Sequence, residues 1–121
     1  MRWIIALALA CLSTEAAAAN WKEAARSSDK TTRAWVDMDS IRKGKDSSFA
    51  WWQIRLPNGD SAKTLTSFKC GVKAYMDLQV IYYDADGKSM DLTSSLNGEW
   101  KFAAPDTVVE GVIDFICENS W

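Results

Sequence analysis

"PDTVVEGVIDFICE", residues 105–118, is the stretch where the chain changes its period. Thr107, Glu110, Gly111, Asp114 and Glu118 recur at steps of three and four and form one polar stripe. Val108, Val109, Val112, Ile113, Phe115 and Ile116 fill the rest of the circumference. That is the period of a helix. Pro105 and the capping-box spacing Thr107-x-x-Glu110 mark its start. The β-branched residues and Gly111 oppose helix by a few tenths to about 1 kcal/mol each. Burial of the apolar side against another element outweighs that cost, at ~1.5–3 kcal/mol for each large side chain buried.

Upstream of this stretch the chain reads as strands. "VKAYMDLQVIYYD", residues 72–84, is the longest run. Strict alternation puts Ala74, Met76, Leu78, Val80 and Tyr82 on one face and Tyr75, Asp77, Gln79, Ile81 and Tyr83 on the other. "DADG" at 84–87 turns it into "KSMDLTSS", and "EWKFA" at 99–103 is a last short extended piece. Before it, "FAWWQIRLP" at 49–57 alternates Ala50, Trp52, Ile54 and Leu56 against Phe49, Trp51 and Gln53. Asn58-Gly59-Asp60 is a hairpin turn leading into "SAKTLTSFKC". "NWKEAARSSDKTTRAWVDMD", residues 20–39, holds two more runs around the polar turn Ser27–Lys30. Trp21, Glu23 and Ala25 share one side of the first, and Ala34, Val36 and Met38 share one side of the second. The polar, basic stretch 39–48 connects the second run to the strand at 49. The fold class is α+β: an antiparallel meander of about six strands with one C-terminal α-helix packed on it.

Residues 1–19 read as a secretory signal peptide, with Arg2, the apolar run Trp3–Leu12 and the small-residue site Ala17-Ala18-Ala19. The run is too short to span a bilayer, which takes about 20 residues, and no second apolar run follows. Cys11 is a second candidate end of the signal, as a lipidation site; Ala8 and Leu9 before it fit that motif poorly. The expected mature domain is residues 20–121, exported to the periplasm or the cell surface.

Two cysteines remain in that domain, Cys70 and Cys117. An even count in a small exported chain argues for one disulfide, stapling the helix end to a strand end. Histidine is absent, which removes the commonest general base and zinc ligand. No catalytic, metal or cofactor-binding residues are assigned. Asp37 and Asp39 would share a strand face and Asp84-x-Asp86-Gly87 resembles the opening of a calcium loop, yet neither has the further oxygens a hard cation needs. A strand-end cap and a hairpin turn account for them.

Two features point to a partner. Trp21, Trp35, Trp51, Trp52, Trp100 and Trp121 are too many for one helix-covered core, and Trp51 and Trp52 point to opposite faces of their strand. A sheet covered on one face leaves aromatic area on the other, the mark of a binding surface. The candidate surface is therefore centred on Trp51 and Trp52, with a homodimer through that face as a competing use. Charge is also uneven. Residues 20–73 carry eleven Lys and Arg against six Asp and Glu; residues 74–121 carry two against nine. The expectation is that strands of the two halves mix in the sheet and the field largely cancels, the other outcome being faces of opposite sign. Nothing suggests nucleic-acid binding.

"WKEAARSSDKTTRAWVDMDSIRK" (21–43) resembles the opening of the surface-adhesin protein E family of Gram-negative bacteria, through its aromatic-Val-Asp-x-x-Ser-Ile-Arg run at 35–42. "SFKCGVKAYMDLQVIYYDADGK" (67–88) and "EWKFAAPDTVVEGVIDFIC" (99–117) continue the resemblance, in order, over nearly the whole mature chain. The resemblance implies a six-stranded antiparallel sheet with a C-terminal helix and a disulfide matching Cys70 to Cys117. It also implies a displayed, non-enzymatic protein that binds a host protein or matrix ligand. Haem is associated with the family's namesake, but a chain without histidine lacks haem's usual axial ligand, and no cofactor is expected. The alternative is a periplasmic interaction or assembly factor with no host ligand.

Overall fold

The computed structural model describes residues 19–90 and 98–119. One antiparallel sheet is built from β1 (Trp21–Arg26), β2 (Arg33–Asp37), β3 (Arg42–Lys43), β4 (Ser48–Arg55), β5 (Ser61–Lys69), β6 (Ala74–Tyr83), β7 (Ser89–Met90) and β8 (Lys101–Phe102). The spatial order β1-β2-β4-β5-β6-β7 follows the chain, so the sheet is a meander. β3 pairs with β4 beyond the end of β2, and β8 pairs with the start of β6. The helix α1 (Val108–Glu118) packs on β1, β2 and β4.

The turns form where the sequence places them. In the β4–β5 hairpin Gly59 has φ +93°, and Asn58 Oδ1 accepts from the Asp60 N–H at 3.0 Å. In the β6–β7 hairpin Asp84 Oδ1 accepts from the amides of Asp86 and Lys88 at 3.0 and 2.9 Å. That carboxylate is occupied by its own turn, as expected of a hairpin. Thr107 caps α1: its Oγ1 accepts from the Glu110 N–H at 3.3 Å, and Glu110 Oε1 accepts from the Asp106 N–H at 3.1 Å. The side chain of the capping box thus reaches back one residue further than its usual partner.

Three face assignments need correction, and each has a local cause. β2 stops at Asp37, and Met38–Ser40 form a 3-10 turn. Asp37 and Asp39 therefore do not share a strand face. Asp37 Oδ1 accepts from the amides of Asn20 and Asp39 at 3.0 and 3.1 Å, acting as a cap. In β1 the register shifts between Glu23 and Ala25, so Ala24 is extra. Trp21 and Glu23 keep one face while Ala25 moves to the other. In β6 the shift falls at Leu78, because Leu65 pairs with Gln79 while Thr66 pairs with Asp77. Tyr75, Asp77, Val80 and Tyr82 thus share one face, and Met76, Gln79, Ile81 and Tyr83 the other.

The core lies between the sheet and α1. Ala34, Val36, Ala50, Trp52 and Phe68 of the sheet meet Val112, Ile113 and Ile116 of the helix, all buried. The disulfide Cys70–Cys117, with Cα atoms 5.8 Å apart, ties the end of β5 to the end of α1. Lys73 adds ion pairs to Glu110 at 3.1 Å and Asp114 at 3.3 Å; these are exposed and contribute little.

Gly111, read from sequence as part of the polar stripe, faces β1. A Cβ built on it would sit 2.7 Å from the Cβ of Ala25. The glycine lets the helix approach the strand closely, which explains its place against helix propensity. Gly111→Ala gains about 1 kcal/mol of propensity but must displace backbone-anchored atoms, at ~1–3 kcal/mol. A net loss of stability is expected in thermal melts, and Ala25→Gly in the same chain should restore it.

Candidate functional site

With α1 on one side, the sheet's other side is the open face among the described residues. Register fixes its members: Trp21 and Glu23 of β1, Arg33 and Trp35 of β2, Trp51, Gln53 and Arg55 of β4, Lys63 and Leu65 of β5, Ile81 and Tyr83 of β6. The two tryptophans singled out by the sequence part company here. Trp52 is 6% exposed and belongs to the core. Its Nε1–H donates to Thr66 Oγ1 at 2.8 Å, and Thr66 in turn donates to Asp77 Oδ1 at 2.9 Å. Trp51 is half-buried on the open face. The main chain of Trp51 is fixed by a side chain: its N–H donates to Ser40 Oγ at 2.8 Å, and Ser40 donates to the Asp37 carbonyl at 2.7 Å. The 3-10 turn thus bridges the gap between β2 and β3 and holds the strand under Trp51 in the ladder.

Four rings lie close to cations. The guanidinium carbons of Arg33 and Arg55 lie 5.1 and 4.9 Å from the ring centroid of Trp35. Lys63 Nζ lies 5.8 Å from the ring of Trp21 and 5.3 Å from that of Tyr83. Lys69 Nζ lies 4.2 Å from the ring of Trp100, the residue before β8. All are within reach of a cation–π attraction, worth about 0.5–1 kcal/mol at exposed sites. Glu23 is the anion at the β1–β2 end of the face. It is paired with Arg33 and Arg26, and the Arg33 hydrogen bond does most to hold its carboxyl below the usual range.

Arg33, Arg55 and Lys63 were not singled out from sequence. Arg33 and Trp35, and Trp51, Gln53 and Arg55, stand at period two, so a shared face was available in the sequence. Which cation lies over which ring depends on cross-strand register, which it does not show. The charge asymmetry is carried into the fold. The basic half supplies the cations of the open face, while Glu110, Asp114 and Glu118 lie on the helix at the opposite side.

No group of three or more His, Cys, Asp or Glu able to hold a metal occurs among the described residues. A depression of about 220 Å³ between the β3–β4 connection, residues 43–48, and Cys70 and Gly71 holds none of these rings. The signal-peptide reading, Cys11 and Trp121 fall on residues outside those described, apart from Ala19. No helix of the described residues is long and apolar enough to cross a membrane.

The model of one known family, surface-adhesin protein E, matches residues 21–118. The chain belongs to that family. No curated protein and no solved structure matches.

Proposed function

We propose that this member of the surface-adhesin protein E family is an exported, non-enzymatic binding module that engages a protein or extracellular-matrix ligand through its open sheet face, with Trp51 as an anchor. The observation that supports this reading is the division of the neighbouring pair: Trp52 completes the core, while Trp51 stays half-buried on a face that no described helix covers. Tryptophan, tyrosine and arginine are the residues most enriched at binding hot spots, and here they share one face. The non-enzymatic reading rests on the absence of histidine and on the engagement of both described cysteines in the disulfide.

Export follows from Arg2, the apolar run Trp3–Leu12 and Ala17–Ala19, and a disulfide of this kind suits an oxidising compartment. The N-terminal sequence of protein recovered from a Gram-negative host separates the two destinations. A soluble chain starting at Asn20 indicates the periplasm, and a lipid-modified chain starting at Cys11 in the membrane fraction indicates surface display.

Binding itself is tested on immobilised extracellular-matrix proteins. Trp51→Ala is expected to weaken saturable binding by at least about tenfold, the size of a hot-spot truncation, with Tm within a few degrees of the parent. An unchanged affinity removes the open face from consideration.

A further inference from the structure

We infer that the ligand segment held on this face is acidic and belongs to a protein, a conclusion that rests on the open face being the binding surface. The ring of Trp35 is covered by two guanidinium groups, and the rings of Trp21, Tyr83 and Trp100 lie close to lysine ammonium groups. A neutral sugar stacking on those rings would have to displace the cations. A carboxylate meets them as they stand.

Charge on the face is also unbalanced. Glu23 is neutralised by Arg26 and Arg33, and Asp37 is occupied by two backbone amides. Arg55, Lys63 and Lys69 have no ion pair among the described residues. They form a positive row on a protein whose net charge is −2, so the attraction is local to this face. Lys63 and Lys69 stand six residues apart on β5, a span of about 20 Å in extended chain. An extended acidic peptide of similar length can meet both ends of the row.

Apolar groups decide between a peptide and a sulfated polysaccharide. Trp51 and Leu65, paired across β4 and β5, and Ile81 on β6 lie among the cations and are half-buried. They offer contact area to side chains of a protein segment and little to a polyanionic glycan. A positive rim around apolar anchors steers a partner of opposite charge and excludes basic ones.

The test uses fluorescence anisotropy with three labelled probes: a peptide alternating Glu and Leu, its Lys-for-Glu counterpart and a heparin oligosaccharide. The Glu-Leu peptide is expected to bind with an affinity that falls as salt rises. The double variant Arg55→Glu/Lys63→Glu should weaken it by at least about tenfold, and Arg55→Gln/Lys63→Gln by less, with Tm of both checked against the parent. Equal binding of the Lys-Leu peptide, an unchanged affinity in the charge-reversed variant, or binding of heparin without the Glu-Leu peptide would each overturn the inference. Its failure is separable from that of the binding face itself. If Trp51→Ala weakens attachment to matrix proteins while the charge reversal leaves that attachment intact, the face stands and only the acidic partner falls.

Discussion

Serine at both Cys70 and Cys117 is expected to lower the free energy of unfolding by about 4 kcal/mol, the chain-entropy value for a loop of this size. The disulfide closes a separation of 47 residues and joins β5 to the end of α1. Without it the helix is held by buried Val112, Ile113 and Ile116, by the partly buried Val108, Val109 and Phe115, and by exposed ion pairs. For a domain near 100 residues such a loss lowers Tm by roughly 15–30 °C. A thermal melt of the double-serine variant, beside the parent with and without reductant, checks this. A shift of only a few degrees would show that packing of α1, rather than the covalent tie, dominates.

Trp52→Ala is the second large effect, about 3–5 kcal/mol for truncating a buried aromatic side chain. Two losses combine. The ring leaves a cavity between Ala50, Val36 and the helix, and Thr66 loses the N–H that it accepts at 2.8 Å. Trp52→Phe separates them, since it keeps most of the volume and removes the donor, at about 1–2 kcal/mol. Chemical denaturation of both variants should show this order. Trp51→Ala, one residue away, is expected to leave stability nearly unchanged. Two adjacent tryptophans with opposite phenotypes, one in stability and one in binding, are the signature of a sheet covered on one side.

Much of this arrangement was legible in the sequence. The helix at 108–118 announced itself by period and cap, the Asn58-Gly59 and Asp86-Gly87 turns by their residue types, and the staple by the even cysteine count. Alternation in β4 placed Trp51 and Trp52 on opposite faces, though it could not say which face the helix would cover. Two of the three face errors came from single extra residues, the third from the 3-10 turn that ends β2 at Asp37. Ala24 and Leu78 each interrupt a strand with no glycine or proline to mark them, because a bulge is defined by pairing with a partner strand. Gly111 looked like part of a polar stripe because its purpose, clearance for Ala25, lies in another element. The cation–ring contacts were hidden for the same reason. Lys63 reaches Trp21 across two intervening strands, and nothing local links residues 42 positions apart.

The charge pattern shows how local chemistry becomes a surface property. The excess of cations before residue 74 was expected to cancel once the strands mixed. Instead the meander lays the basic half across most of the sheet, and alternation sends Arg33, Arg55, Lys63 and Lys69 to the open face. The acidic half supplies the helix on the far side. The asymmetry is thus kept in part, since Lys73 of the basic half pairs with Glu110 and Asp114 on the helix side.

In the proposed binding mode the open face, and not the helix side, meets the ligand. Oxidative footprinting of the tryptophans, read by mass spectrometry with the protein free and bound to an immobilised matrix protein, distinguishes the two sides. Trp51 should be oxidised in the free protein and protected on binding, along with Trp21 and Trp35, while Trp52 stays protected throughout and α1 does not change. Protection confined to α1, with Trp51 oxidised equally in both states, would put the ligand on the helix side instead.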